Sequence, residues 1–210
     1  MKITKYPQSC LLIEANDKRL LIDPGSLVSQ HIQPADLLPI DAIMITHEHP
    51  DHADPDLLRS LLADKPIPVI ANASTKDLLG DLVTKVVMDS ETFDAAGFSI
   101  KAYELPHCLM VDGSAGPQNT GYVIDGVFFH PGDGISINNL QVANVAIPFA
   151  GPDISPKDIF DFINQTGAQT VIPIHHDFFT ANIPAITSWI NRALPNIKFV
   201  ALEHGQSTEL

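Results

Sequence analysis

Residues 47–52 read His-Glu-His-Pro-Asp-His, and no other stretch constrains the chain as much. Three imidazoles and two carboxylates in six residues are poor core material, because each would need a polar partner if buried. Yet the preceding segment, Ala42–Thr46, is short and apolar, as a strand covered on both faces is. The fold must therefore end a buried strand in a loop that turns alternate polar side chains toward different points. Imidazole nitrogen and carboxylate oxygen in such a set suit zinc, and also manganese or iron.

The same arrangement recurs. Phe98–Leu105 runs into His107, Val127–His130 into Asp133 through Pro131-Gly132, and Thr170–Ile174 into His175. Taken alone, a histidine at a strand end is ordinary and Gly-Asp-Gly is a turn. Four strand ends, each followed by His or Asp, make a constellation, since loops held by a rigid sheet are where functional residues collect.

The remaining pattern predicts strands with interspersed helices. Cys10–Ala15 and Arg19–Ile22 flank the turn residues Asn16-Asp17, and Gly121–Ile124 and Val127–His130 flank Asp125-Gly126, a hairpin signal. Ile67–Ala71, Lys85–Met88, Val142–Ile147 and Phe199–Leu202 are further strands. Helices are expected over Asp54–Ala63, capped by Asp54, over Ser74–Leu82, capped by Ser74, over Ser155–Thr166, capped by Ser155, and over Asn182–Leu194. Such a chain builds layers of sheet and helix. No linker or repeat interrupts it, so residues 1–210 are expected to form one domain.

Composition narrows the function classes. With 45% apolar and 18% charged residues, the chain can bury a core and is not of the disordered class. No apolar run approaches the ~20 residues of a membrane span, and Met1–Cys10 lacks the apolar centre of a signal peptide. Two cysteines, Cys10 and Cys108, are too few for a disulfide framework. A soluble, cytoplasmic protein is the expectation. Twelve basic against 25 acidic residues give a net charge of −13, which disfavours nucleic acid as a partner. Lys and Arg are missing from Leu20–Leu58, Ala102–Pro156 and Asp158–Asn191, the three stretches that carry the candidate ligands. The expected partner is a small molecule, with no nucleic acid and no membrane; assembly into a homo-oligomer is left open.

Leu21-Ile22-Asp23-Pro24, the His47–His52 motif, His107, Tyr122-Val123-Ile124, His130-Pro131-Gly132-Asp133, Ile147-Pro148-Phe149-Ala150-Gly151 and Pro173-Ile174-His175 occur in an order that resembles the metallo-β-lactamase superfamily. The similarity is greatest to its short branch near ascorbate-6-phosphate lactonase. The resemblance implies an α/β (α+β) fold, an αββα sandwich with two divalent metal ions, zinc or manganese, at one edge of the sheets. It implies that His47, His49 and His107 hold the first ion and Asp51, His52 and His175 the second. Asp133 would lie between them, and Asp23 would orient a ligand from behind.

Asp51 and His130 are the candidate catalytic side chains: Asp51 orients the attacking hydroxide, and His130 lies close to the site behind the ligands. A water shared by two dications loses a proton near neutral pH and attacks a carbonyl or phosphorus. A small ester, lactone or phosphoester is the expected substrate. The alternative is a non-hydrolytic metal-binding or di-iron redox protein of the same fold. Adjacent strand residues point to opposite faces, so only one of His175 and His176 can be a ligand, and position in the motif favours His175. His31 and His204 are expected to be ordinary surface residues.

Overall fold

Leu11 and Ile13 leave their strand on one face and Leu12 on the other, and all three are buried. That double burial sets the architecture. In this computed structural model, which describes residues 1–210, the first sheet contains β1 (Lys2–Lys5), β2 (Leu11–Ala15), β3 (Lys18–Ile22), β4 (Ala42–Met44), β5 (Val69–Ala71) and β6 (Lys85–Val86). The second contains β7 (Thr92–Ala95), β8 (Phe98–Glu104), β9 (Thr120–Ile124), β10 (Phe128–His130), β11 (Asn144–Pro148), β12 (Thr170–Ile174) and β13 (Lys198–Phe199). The last strand, β14 (Ser207–Glu209), returns to pair antiparallel with β1. The sheet orders are β14-β1-β2-β3-β4-β5-β6 and β13-β12-β11-β10-β9-β8-β7.

The inward residues Ile3, Leu11, Ile13, Leu20 and Ile22 meet Ile100, Tyr122, Ile124, Phe128 and Ile172 of the facing sheet in one buried cluster. The outward residues of the first sheet, Leu12, Leu21 and Ile43, pack under α1 (Ser26–His31), α2 (Pro34–Leu37), α3 (Pro55–Leu62) and α4 (Ala73–Leu79). Those of the second, Val145, Ile147 and Val171, pack under α5 (Pro156–Thr166) and α6 (Ile183–Ala193). The result is an αββα sandwich. Because each central strand is covered on both sides, it reads as a continuous apolar run.

Several elements differ from their sequence reading. Ser74 is not a cap; Asn72 is, with its side chain accepting from the Thr75 amide. Asn72 also donates to the carbonyls of Thr46 and Gln118, so tertiary contacts selected it. Asp54 and Ser155 do cap their helices, Ser155 within a reciprocal capping box with Asp158. Helices α1 and α2 have no side-chain cap, although Pro34, at the first position of α2, is one of the usual start signals. Strand β4 stops at Met44 because the Thr46 amide turns away to the Asp23 carboxylate. In the β9–β10 hairpin both Asp125 and Gly126 have positive φ, the geometry that Asp-Gly favours.

Candidate metal centre

Strands β3 and β4 run parallel, as do β10, β11 and β12, so their carboxyl ends gather at one edge of the sandwich. Asp23 follows β3, the His47–His52 loop follows β4, His107 follows β8, Asp133 follows β10, and His175 follows β12. Local backbone features complete the convergence. His107 bridges to Gly134, which sets it beside Asp133. His175 takes φ +55°, outside the strand conformation, and this turn aims it away from the sheet.

The side chains form two sets whose ligand atoms lie within 4.8 Å of one another: His47, His49, His107 and Asp133; and Asp51, His52 and His175. Asp133 touches both. Its Oδ2 is 3.5 Å from His107 Nε2, 3.9 Å from His47 Nε2 and 3.1 Å from His175 Nε2, and its Oδ1 is 3.2 Å from His52 Nε2. Asp51 Oδ2 is 3.3 Å from His175 Nε2.

The far side of each ring fixes which nitrogen faces the centre. His52 donates from Nδ1 to Asp23 Oδ2 at 2.7 Å, His107 from Nδ1 to the Cys108 carbonyl at 2.6 Å, and His175 from Nδ1 to the Ala150 carbonyl at 2.7 Å. Thr46 Oγ1 donates to Asp23 and lies 3.1 Å from His47 Nδ1. With Nδ1 carrying the proton, Nε2 presents a lone pair, the form in which imidazole binds a metal.

His107 Nε2 is buried and has no hydrogen-bond partner, and the buried His52 Nε2 and Asp133 Oδ1, 3.2 Å apart, have no partner beyond each other. Such atoms gathered about Asp133 would be costly in a purely structural site, and cations held by the two ligand sets would satisfy them. The charge balance agrees. Burial opposes ionisation of Asp133, yet His175 and His52 hold its carboxyl well below the usual range. Burial likewise opposes protonation of His175, but Asp133 and Asp51 push it up to about 10. The same contest, decided by Asp133 and Asp23, raises His52, whereas burial and neighbouring imidazoles lower His47. The pocket demands positive charge among its carboxylates, and the donor set of five imidazoles and two carboxylates fits a divalent cation.

Comparison with known families adds an independent line: the family described as the Beta-lactamase superfamily domain matches residues 2–175. The chain belongs to the metallo-β-lactamase superfamily. Protein Rv0786c of Mycobacterium tuberculosis is 30% identical over 181 residues, covering 83% of this chain and 84% of that protein. UPF0173 protein PYRAB01190 of Pyrococcus abyssi is 26% identical over 186 residues, covering 84% and 83%. Among solved structures, Igni18, described as a metallo hydrolase of Ignicoccus hospitalis, superposes with a TM-score of 0.78 at 18% identity and covers 100% of this chain and 98% of its own. That likeness establishes the shared fold.

Within this superfamily chain, some residues stand elsewhere than expected. His130 is fully buried; its Nε2 donates to the Ser9 carbonyl and its Nδ1 accepts from the Gly132 amide. Both nitrogens are spent on backbone, so His130 shapes the Asp133 loop and cannot transfer a proton, which corrects its catalytic assignment. His176 lies among Lys5 and Asp177 instead of the ligands, and burial, with Lys5, lowers its pKa. The separation from His175 comes from the left-handed turn and not from strand alternation. His204 is no idle surface residue: its Nε2 donates to Asp177 Oδ1 at 2.9 Å. No helix is long and apolar enough to cross a membrane.

Two supporting residues escaped the sequence reading. Gln8, fully buried, donates from Nε2 to Asp51 Oδ2, while its backbone carbonyl accepts from the His175 amide. Asn119 accepts at Oδ1 from the Asp133 amide and donates to the Pro131 carbonyl, fixing the loop between. Neither sits in a spacing pattern. In front of the ligands lies a cavity of about 660 Å³ lined by 16 residues, among them His49, Asp51, His107, Asp133 and His175, and none is Lys or Arg.

Proposed function

We propose that the protein is a metal-dependent hydrolase of a small ester, lactone or phosphoester. The observation that carries this is the gathering of the buried His52 Nε2 and His107 Nε2 about Asp133, with His107 and Asp133 lining an open cavity. His47, His49 and His107 would hold one ion, Asp51, His52 and His175 a second, and Asp133, in reach of both sets, would stand between them. Bound there, zinc or manganese supplies Lewis acidity toward the scissile bond and a nucleophilic water near neutral pH.

The chain's own residues do the positioning. Asp51 lines the cavity and is held from behind by Gln8, so its carboxylate can orient the attacking water by accepting a hydrogen bond. Asp23, the Cys108 carbonyl and the Ala150 carbonyl keep His52, His107 and His175 in the tautomer that ligates. The metallo hydrolase description of Igni18 supports the reaction class. Cys10 and Cys108, both buried and unpaired, support a reducing, cytoplasmic setting.

The test is metal reconstitution followed by elemental analysis and a panel of chromogenic esters, lactones and phosphodiesters. About two zinc or manganese ions per chain, with turnover that a chelator removes, is the expected result. One ion or none overturns the two-ion arrangement, and bound iron without hydrolysis moves the protein to redox chemistry.

A further inference from the structure

The cavity has a polar floor and an apolar rim. Leu27, Met110, Val111, Phe178 and Phe179 line its mouth above the candidate ligands. Val111 is 87% exposed and Phe178 67%, the kind of apolar surface that proteins leave open where something binds. The two phenyl rings meet edge to face with centroids 5.0 Å apart, so they form a preset wall. The wall is anchored: the Phe178 amide donates to Gln8 Oε1, on the same side chain that holds Asp51. Rim and floor are therefore tied to one residue.

The charges point the same way. A phosphoester brings anionic oxygens that call for guanidinium or ammonium partners, and none of the 16 lining side chains supplies one. Asp112 on the rim adds negative charge. Ser26, Gln30 and Ser114 are the uncharged polar groups left over, enough for a carbonyl or hydroxyl.

Resting on the hydrolase reading above, we propose that the site takes an uncharged carboxylic ester or lactone whose alkyl or aryl substituent lies against Phe178, Phe179 and Val111. In the reaction the water oxygen bonds to the acyl carbon and the acyl carbon–oxygen bond breaks. One water proton passes to the departing alkoxide, giving acid and alcohol, or a hydroxy acid from a lactone.

The experiment compares 4-nitrophenyl acetate, butyrate and hexanoate with bis(4-nitrophenyl) phosphate on the metal-reconstituted protein, over a metal-free background. The specificity constant is expected to rise roughly two- to threefold per added methylene, somewhat less than full burial would give, and the phosphodiester to be the poorest substrate. Phe178→Ser should flatten the chain-length series, whereas Trp189→Ser, on an exposed part of α6 outside the cavity, should leave it unchanged. A second readout needs no turnover: 2-octanone should bind the metal-free protein more tightly than 2-pentanone, and Phe178→Ser should remove the difference. Ester turnover indifferent to chain length, a preferred phosphodiester, or ketones bound without regard to length overturns the apolar-substrate proposal and leaves the hydrolase reading standing. No turnover of any compound overturns the hydrolase reading, and the substrate proposal falls with it.

Discussion

Gln8 Nε2 donates to Asp51 Oδ2 at 2.8 Å, and Gln8 Oε1 accepts from the amides of Asp177 and Phe178 at 3.3 and 3.2 Å. One buried amide thus fixes a candidate metal ligand with its nitrogen and the loop after His175 with its oxygen. Behind it, the fully buried Lys5 ammonium donates to Asp177 Oδ2, which also accepts from the Gln8 backbone amide. Gln8 itself takes φ +63°, a conformation held by these bonds and not by its residue type. Gln8→Ala should weaken metal binding at the Asp51, His52 and His175 set by about 10- to 100-fold, as loss of a residue that orients a ligand does. Competition with a chromophoric chelator reads this directly. Affinity within about twofold of the unaltered protein would remove Gln8 from that role.

The contrast between Gln8 and His47–His52 shows what a sequence reveals. The ligands were legible because metal chemistry restricts residue type and the motif compresses it into adjacent positions. The sheets were legible because strands such as Leu20–Ile22 and Val171–Ile174 are apolar on both faces. Gln8, Asn119 and Thr46 act through hydrogen bonds to residues far away in sequence, and any polar residue looks equally suited until the partners are in place. His130 misled for the opposite reason. Its type and position matched the site, but the Ser9 carbonyl and the Gly132 amide consume both nitrogens.

Asp133 and the histidine pair supply a sharper test. Asp133 is the one carboxylate within 4 Å of ring nitrogens from both ligand sets. Asp133→Ala should reduce turnover by at least about 1,000-fold and lower metal content, with the circular dichroism spectrum retained. His175→Ala should behave alike, whereas His176→Ala should stay within roughly tenfold of the unaltered protein. Equal losses for the two histidines would show that the loop as a whole, and not the Nε2 of His175, is what matters.

Gly25 probes the backbone. A Cβ placed there would lie 1.9 Å from the Asp51 carbonyl oxygen and 2.6 Å from the His52 amide nitrogen. Neither atom can yield without shifting the ligand loop, because the Asp54 amide beyond it is bonded to the Pro24 carbonyl. Gly25→Ala should destabilise the fold by about 1–3 kcal/mol, the usual range for overpacking. For a chain of this length that lowers the melting temperature by roughly 2–12 °C, and metal affinity should fall with it. An unchanged melting temperature would mean that the loop has freedom the contacts do not show.

Salt dependence tests the charge distribution. The absence of Lys and Arg from the cavity lining leaves the candidate metal ions as the only cations facing a substrate. The nearest buried ammonium, Lys5, is engaged by Asp177 behind the His175 loop; Lys18 pairs with Asp41, and Lys101 lies over the Tyr103 ring. A polyanion approaching this site would displace few counterions and would meet a protein of net charge −13. Turnover of a neutral ester should therefore change by less than about twofold between 50 and 300 mM salt, beyond which surface charges are largely screened in any case. A short RNA should be a poor substrate at both salt concentrations. If RNA proves the best substrate and its rate falls steeply with salt, a basic surface must be assembled from a second subunit, because this chain presents none at the cavity.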